Sequence, residues 1–448
     1  MSSKQILLRG GCILTMDAGL GDFDRADLLI DGPRIAEIAP HIDAPGAEIV
    51  EAETMIVMPG LVNTHHHMWQ GSMRNVAIDY TIGEYFAKFM SVIAPRFTPA
   101  DIYAGDLMSA LEGLNAGVTT FLDWCHVPNT PEHADEAVRA LKDSGARAIF
   151  AYGPPLGQGI KEWFYQSQLT HPEDTRRVRR QHFASKDQLV TFALALRGPD
   201  FTSPEINQHD FALARELAAP ITMHIGAQGG PPGGVLKLQR AKLLGSDINH
   251  VHMTISSAEE MKLIADTGGT VSVTPISEMM MGVGAPVTGR LLAAGVRPGL
   301  GIDTITGSSG DMFGQMRAAL AMERMTEAEE IWARGEQYGS VRLTARQILE
   351  LATIEGARTL WLDSKIGSLT AGKEADVVLI RADDLNMAPV IDARAAVNAI
   401  VMSADTANVD SVFVAGSPIK RGGKMLADTE RARKLAAASS ARLFPTNN

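Results

Sequence analysis

The chain has 448 residues, a formal charge of −11 and the balance of apolar and charged residues of a soluble globular protein, so it can bury a large core and hold more than one domain. The acidic balance argues against a broad nucleic-acid footprint, which needs a basic patch. Two cysteines, Cys12 and Cys125, are too few for a disulfide framework. The chain opens without an apolar signal run, and no apolar run is long enough to span a bilayer, so the expectation is a soluble cytoplasmic protein with no membrane partner.

Short strands are predicted at residues 6–8, 13–16, 27–30 and 34–38, with Asp31-Gly32 as a hairpin signal. Residues 48–57 add more strand before Pro59-Gly60. A short apolar strand then ends in His65-His66-His67. Side chains alternate along a strand, so His65 and His67 face one way and can converge on a metal ion while His66 turns away. Neutral imidazole is the commonest protein ligand for zinc and its relatives.

Helices and strands alternate from there. A helix opens at Thr98-Pro99-Ala100-Asp101 and runs towards Gly117, and a strand follows at 118–122. A helix at 131–144 closes on Gly145, and strands follow at 146–152 and 190–196. Ser203-Pro204-Glu205 caps a further helix. Strands are expected at 219–224, 248–252, 270–274 and 296–300, with helices leading to Gly268 and across 289–294. This alternation predicts an α/β protein built on a (β/α)8 TIM barrel. The end returns to β at 377–380, 409–414 and 419–424, and a helical tail follows. The expected division is a barrel over 59–364, a small β-sandwich built from 1–58 and 365–427, and a tail over 428–448.

His224, His252 and Asp303 each lie at the end of an expected strand, where β/α barrels carry catalytic residues. A single histidine there is more often structural, and a single aspartate often caps a helix. Together with His65-x-His67 they point to a metal site. His250 stands two residues before His252 on the same expected face and is the alternative for that strand. Arg197 ends the 190–196 strand, placed either to clamp an anionic group or to pair with a helix carboxylate. Trp69 and Gln70 follow the first histidines; a tryptophan there more often packs against the barrel rim than stacks on substrate, though the rim is also the pocket wall. His126 reads as a solvent-facing loop residue, with the pocket mouth as its alternative. The Met279-Met280-Met281 run offers apolar surface to core or pocket. No Cys-x-x-Cys pair is present, which excludes a zinc deaminase of the polynucleotide-editing type.

Over almost its whole length the chain resembles the amidohydrolase superfamily, within the branch of chlorohydrolases and cytosine-, guanine- and adenosine-type aminohydrolases. Pro59-Gly60 with His65-x-His67 is similar to the first-strand motif, and Gly117-Val118-Thr119-Thr120-Phe121-Leu122-Asp123 to the second. His224, His252 and Asp303 fall at the fifth-, sixth- and eighth-strand positions. Gly367-Ser368-Leu369-Thr370-Ala371-Gly372-Lys373-Glu374-Ala375-Asp376 resembles the entry to the C-terminal β-sandwich. The resemblance implies one divalent metal, zinc first with iron or manganese as alternatives, held by His65, His67, His224 and Asp303. It implies that Asp303 moves the proton of a metal-activated water and that His252 hydrogen-bonds the attacking hydroxide or polarises the reacting group. Trp69, Gln70 and Arg197 are the expected substrate contacts. The fourth strand ends in Arg197 without the lysine of binuclear members, which favours a single ion.

Two departures stand out. The branch carries a glutamate three residues after the fifth-strand histidine, where this chain has Ala227 followed by Gln228. The seventh strand reads Thr274-Pro275-Ile276-Ser277-Glu278 in place of Pro-x-Ser-Asn, so Glu278 is a candidate either for part of the proton shuttling or for pairing with a nearby cation or capping a helix. The implied activity is hydrolysis of a carbon–nitrogen bond in a small cyclic or heteroaromatic molecule, by deamination or by amide, carbamate or urea cleavage. The alternatives are a decarboxylase or lyase on the same barrel, or a metal-free binding relative. The family resemblance allows a homodimer or higher homo-oligomer, for which the residues carry no interface signal.

Overall fold

A computed structural model describes residues 5–155, 166–185 and 187–444. The strands are β1 (Gln5–Ile13), β2 (Phe23–Asp31), β3 (Arg34–Ala39), β4 (Glu48–Glu51), β5 (Met55–Pro59), β6 (Leu61–His66), β7 (Val118–Cys125), β8 (Arg147–Tyr152) and β9 (Val190–Leu196). They continue as β10 (Ile221–Ile225), β11 (Ile248–His252), β12 (Thr270–Val273), β13 (Gly299–Leu300), β14 (Val377–Arg381), β15 (Val409–Val414), β16 (Ser417–Arg421) and β17 (Lys424–Met425).

The two β-rich ends form one nine-stranded mixed sheet in the order β17-β16-β15-β14-β5-β1-β2-β3, with β4 pairing β1 off that path. Alternation sorts its faces. Ile6, Leu8, Leu28, Ile30, Val57, Val377, Leu379 and Phe413 pack in one core, whereas Leu7 and Leu29 join Ile42 in another. The separate strands expected at 6–8 and 13–16 are one strand, β1, which ends at Ile13. Register shifts on either side of Gly11 let the ladder continue through the Gly10-Gly11 pair as a bulge, and Gly10 takes φ +73°.

The eight strands β6 to β13 form a nearly closed parallel barrel, each beside the next in sequence order. The expected helix signals hold: Ser203 accepts from Ile206 N–H, Ser257 and Glu260 form a capping box, and Gly145 and Gly268 end their helices at φ +75° and +74°. The strand expected at 296–300 shrinks to Gly299–Leu300, because Pro298 has no N–H to give a ladder. The helices Met312–Ala333, Ala345–Leu351, Ile354–Thr359 and Ala393–Met402 had no counterpart among the sequence-based elements. Apolar residues lie around much of the first, with Phe313 and Met316 buried but Met325 and Trp332 exposed, so it lacks a clean stripe.

Grouped by contacts, the described chain falls into two compact units. One contains the residues up to Asn63, Glu112–Thr120 and Asp311–Asp428; the other contains Thr64–Leu111, Phe121–Gly310 and the residues from Thr429. No helix among the described residues is long and apolar enough to cross a membrane.

The barrel closes where its eighth strand returns to its first. Thr64 Oγ1 donates to Leu300 O at 3.0 Å, Asp303 N to His65 O at 2.9 Å and His67 N to Asp303 O at 2.7 Å. Gly301 packs so tightly here that a Cβ on it would lie 2.9 Å from His65 O. Gly301→Ala is expected to lower stability by about 1–3 kcal/mol through overpacking, seen as a reduced urea midpoint with an unchanged slope. A wild-type midpoint would contradict this packing.

Candidate functional site

The closure gathers the expected metal ligands. Both His65 Nε2 (3.3 Å) and His67 Nε2 (3.4 Å) face Asp303 Oδ1. His224 Nε2 lies 3.3 Å from His65 Nε2. Donor atoms of His65, His224, His252 and Asp303 all fall within 4.8 Å of one another. Burial depresses the basicity of these rings: His67 is lowered to about 3, His65 is lowered, and His224 falls well below its ordinary value. Burial thus favours the neutral imidazoles, whose ring nitrogens lie close enough together, 3.3 Å for His224 and His65, to share one cation. For Asp303, burial acts to raise the pKa, but the hydrogen bond with His65 and the charges of His67, His65 and His252 hold it well below the usual carboxylate range. Neutral imidazoles beside an ionised carboxylate fit a divalent transition metal.

Neighbours fix these rings. His67 Nδ1 donates to Trp124 O at 2.8 Å, which turns the Nε2 lone pair inwards. His252 Nδ1 lies 3.2 Å from Glu278 Oε1, which also accepts from Thr274 N at 2.8 Å. Burial lowers the His252 pKa, but the Glu278 hydrogen bond and the charges of Asp303 and Glu278 outweigh it, and the net shift is upwards. His252 differs in this from the other rings of the group. His250 is not part of the group; its Nδ1 donates to Thr270 O at 3.1 Å. The two do not act as same-face residues because His252 leaves the extended conformation at φ +76°. Asp303 likewise takes φ +65°. Left-handed backbone at non-glycine residues costs about 1–3 kcal/mol each and clusters at functional sites.

A cavity of about 1610 Å³ opens over this group. His67, His126, His224, His252 and Asp303 contribute to its lining. Ile82, Tyr85, Phe86, Met90, Met281 and Val283 supply apolar wall, and Asp200, Asn207, Gln228 and Lys237 supply polar wall. Of the methionine run, only Met281 lines the cavity, and Met279 and Met280 are exposed.

Several expectations need correction. His126 is buried, with its ring 4.4 Å from that of His67, so it is no solvent-facing loop residue. Trp69 does not line the cavity; it packs edge-on to Phe97 and stacks on Phe89, and its Nε1 donates to His126 Nδ1 at 3.3 Å. Gln70 is also behind the wall, where it donates to Tyr85 Oη and accepts from Thr304 Oγ1. Arg197 is buried away from the cavity, donating to Ser167 Oγ at 2.7 Å and to Leu169 O, so it is not placed as an anion clamp. Glu278 is fully buried behind His252 and does not reach the cavity. Sequence reasoning missed Tyr85, Thr304 and Asp200. Thr304 adjoins Asp303 and was within reach, whereas Tyr85 starts a π-helical turn with no readable period.

Comparison with known proteins agrees with this geometry. The sequence profile of the Amidohydrolase family matches residues 56–419. The chain is 28% identical to a 5-methylthioadenosine/S-adenosylhomocysteine deaminase of Desulforudis audaxviator, over 98% of this chain and 99% of that one. It is 26% identical to a 5'-deoxyadenosine deaminase of Methanosarcina mazei, over 92% and 91%. Among solved structures, an adenosine deaminase from Xanthomonas campestris with bound zinc superposes with a TM-score of 0.83 at 22% identity, covering 98% of both chains, which supports the fold.

Glu278→Gln removes the charge that favours protonated His252. In the metal-free protein the His252 pKa, followed by imidazole NMR, is expected to fall; an unchanged pKa would contradict the coupling.

Proposed function

We propose, from the premise that the chain belongs to the amidohydrolase family, that it deaminates an unphosphorylated 6-aminopurine nucleoside. It is a metal-dependent hydrolase that cleaves a carbon–nitrogen bond of a small molecule. The observation that carries the reading is the convergence of the His65, His67 and His224 rings with the Asp303 carboxylate beneath a large cavity.

Size and chemistry narrow the substrate. The cavity exceeds the roughly 300–1,000 Å³ usual for small-molecule sites, so it has room for a base carrying a sugar. Tyr85, Phe86, Met90 and Met281 suit an aromatic ring and an apolar substituent. Apart from histidines, Lys237 is the one cationic residue among the described lining residues, which disfavours a phosphate. The relatives' names, with adenosine-type substrates, agree.

In this reading His65, His67, His224 and Asp303 hold one zinc ion. When bound, the metal makes water acidic enough to supply hydroxide near neutral pH. Asp303 takes the water's proton and passes it to the departing amine. His252, kept towards its protonated form by Glu278, donates a hydrogen bond to the attacking oxygen. His67 is assigned to the metal because its Nε2, like that of His65, faces Asp303 Oδ1, whereas His252 is engaged by Glu278 through Nδ1. Glu278 is thus a positioning residue, and so is Gln70, which holds Tyr85 and Thr304 at the wall. The low cysteine content supports a cytoplasmic setting.

The test is ammonia release by the zinc-loaded protein from adenosine, 5'-deoxyadenosine, 5'-methylthioadenosine, adenosine 5'-monophosphate, cytosine and an aminotriazine. The unphosphorylated nucleosides are expected to turn over best, with activity lost on chelation and restored by zinc. Turnover confined to the triazine, or to amides and ureas, would contradict the proposal.

A further inference from the structure

Hydrolytic deamination of a heteroaromatic ring needs an acid for the ring nitrogen as well as an activated water. Position 227 is alanine, and an amide such as Gln228 is no acid near neutral pH. Glu278 lies behind His252, outside the cavity. Among the described residues that line the cavity, two carry carboxyl groups, Asp303 and Asp200. Asp303 is committed to the metal side, which leaves Asp200.

Asp200 comes from the loop after β9, the neighbour of β10 in the barrel. Its Oδ2 accepts from Gly226 N–H at 2.8 Å, on the residue immediately before Ala227. The carboxyl group is therefore docked beside the backbone of the position that has lost its own. Two glycines form the cradle. Gly226 takes φ +62°, and a Cβ on Gly234 would come within 2.4 Å of Asp200 Oδ1. Oδ1 is buried there with no hydrogen-bond partner. Asp200 also contributes to the cavity lining, and at Oδ1 no protein acceptor competes for a proton.

We propose that Asp200 is the acid that protonates the substrate's ring nitrogen, supplied from the fourth-strand loop in place of the glutamate missing at position 227. The inference rests on the deamination reading above. The oxygen of water bonds to the amine-bearing carbon, and the water's proton goes to Asp303. The Asp200 proton moves to the ring nitrogen, which takes up the electron pair of the carbon–nitrogen double bond. Asp303 then protonates the amine, which leaves as ammonia with its bonding pair. The new hydroxyl returns a proton to Asp200 as the carbonyl forms. The surroundings of Asp200 favour its protonated form more than water would. Burial pushes its pKa up to about 6, against the hydrogen bond from Gly226 and the charge of Lys237, with Glu260 adding to the rise.

The experiment compares wild type, Asp200→Asn and Asp200→Asn/Ala227→Glu as full-length, zinc-loaded enzymes on the best nucleoside substrate. Asparagine keeps the acceptor for Gly226 N–H, so thermal midpoint and zinc content are expected to stay at wild-type values. The kcat is expected to fall roughly 10²–10⁴-fold, the usual worth of a general acid. The acid form is the active one, so wild-type kcat/KM falls as pH rises through about 6, and that limb disappears in Asp200→Asn. Glutamate at position 227 is expected to restore activity. An active wild type with an undiminished Asp200→Asn rate overturns this inference alone. So does a loss that accompanies loss of zinc or stability and is not relieved by Ala227→Glu. A wild type that releases no ammonia from any heteroaryl amine overturns the deamination reading, and this inference with it.

Discussion

Asp303 N–H donates to His65 O at 2.9 Å and His67 N–H to Asp303 O at 2.7 Å, and these two backbone bonds join the first and last strands of the barrel. They also set the distance between the groups that matter chemically. The strand that carries the carboxylate can close on the strand that carries the histidines only at this register. Gly301, two residues before Asp303, lets the backbones approach; a side chain there would press on His65. Barrel closure and site assembly are thus one event. A fault in either is expected to appear in both.

Burial at this seam does the electrostatic work. In water these imidazoles would titrate near neutrality, but here desolvation keeps His65, His67 and His224 neutral, with lone pairs available to a cation. His252 sits among them yet moves the other way, because Glu278 lies behind it. One cluster therefore holds two kinds of imidazole: rings kept neutral and one ring held towards its protonated form. Support extends below the floor. Asp123, its pKa pushed up by burial, accepts Met68 N–H at 3.2 Å, and Ser109 Oγ donates to Met68 O at 2.8 Å. The residue after His67 is gripped from both sides.

The strands, their order and the helix caps of the barrel were legible because each leaves a local mark: an apolar run, a capping serine, a closing glycine. His65-x-His67, His224, His252 and Asp303 were legible for the same reason, as polar residues at the ends of apolar strands. Orientation was not. Period two put His250 and His252 on one face, but His252 adopts a left-handed backbone that no neighbouring residue announces. Arg197 shows the opposite error. It ends a barrel strand as a pocket residue should, yet its guanidinium turns to Ser167 and Leu169, far along the sequence. Tyr85 and Asp200 reach the cavity from irregular segments with no periodicity to read. Asp200 becomes visible only when its bond to Gly226 is set beside the alanine at position 227.

The most direct test of the central claim is anomalous diffraction at the zinc edge from crystals of the zinc-loaded protein. The account predicts a single peak coordinated by His65, His67, His224 and Asp303, with His252 within hydrogen-bonding reach of the ion's remaining ligand. A peak coordinated by His252 with His67 turned away, two peaks, or none at the barrel seam would contradict it.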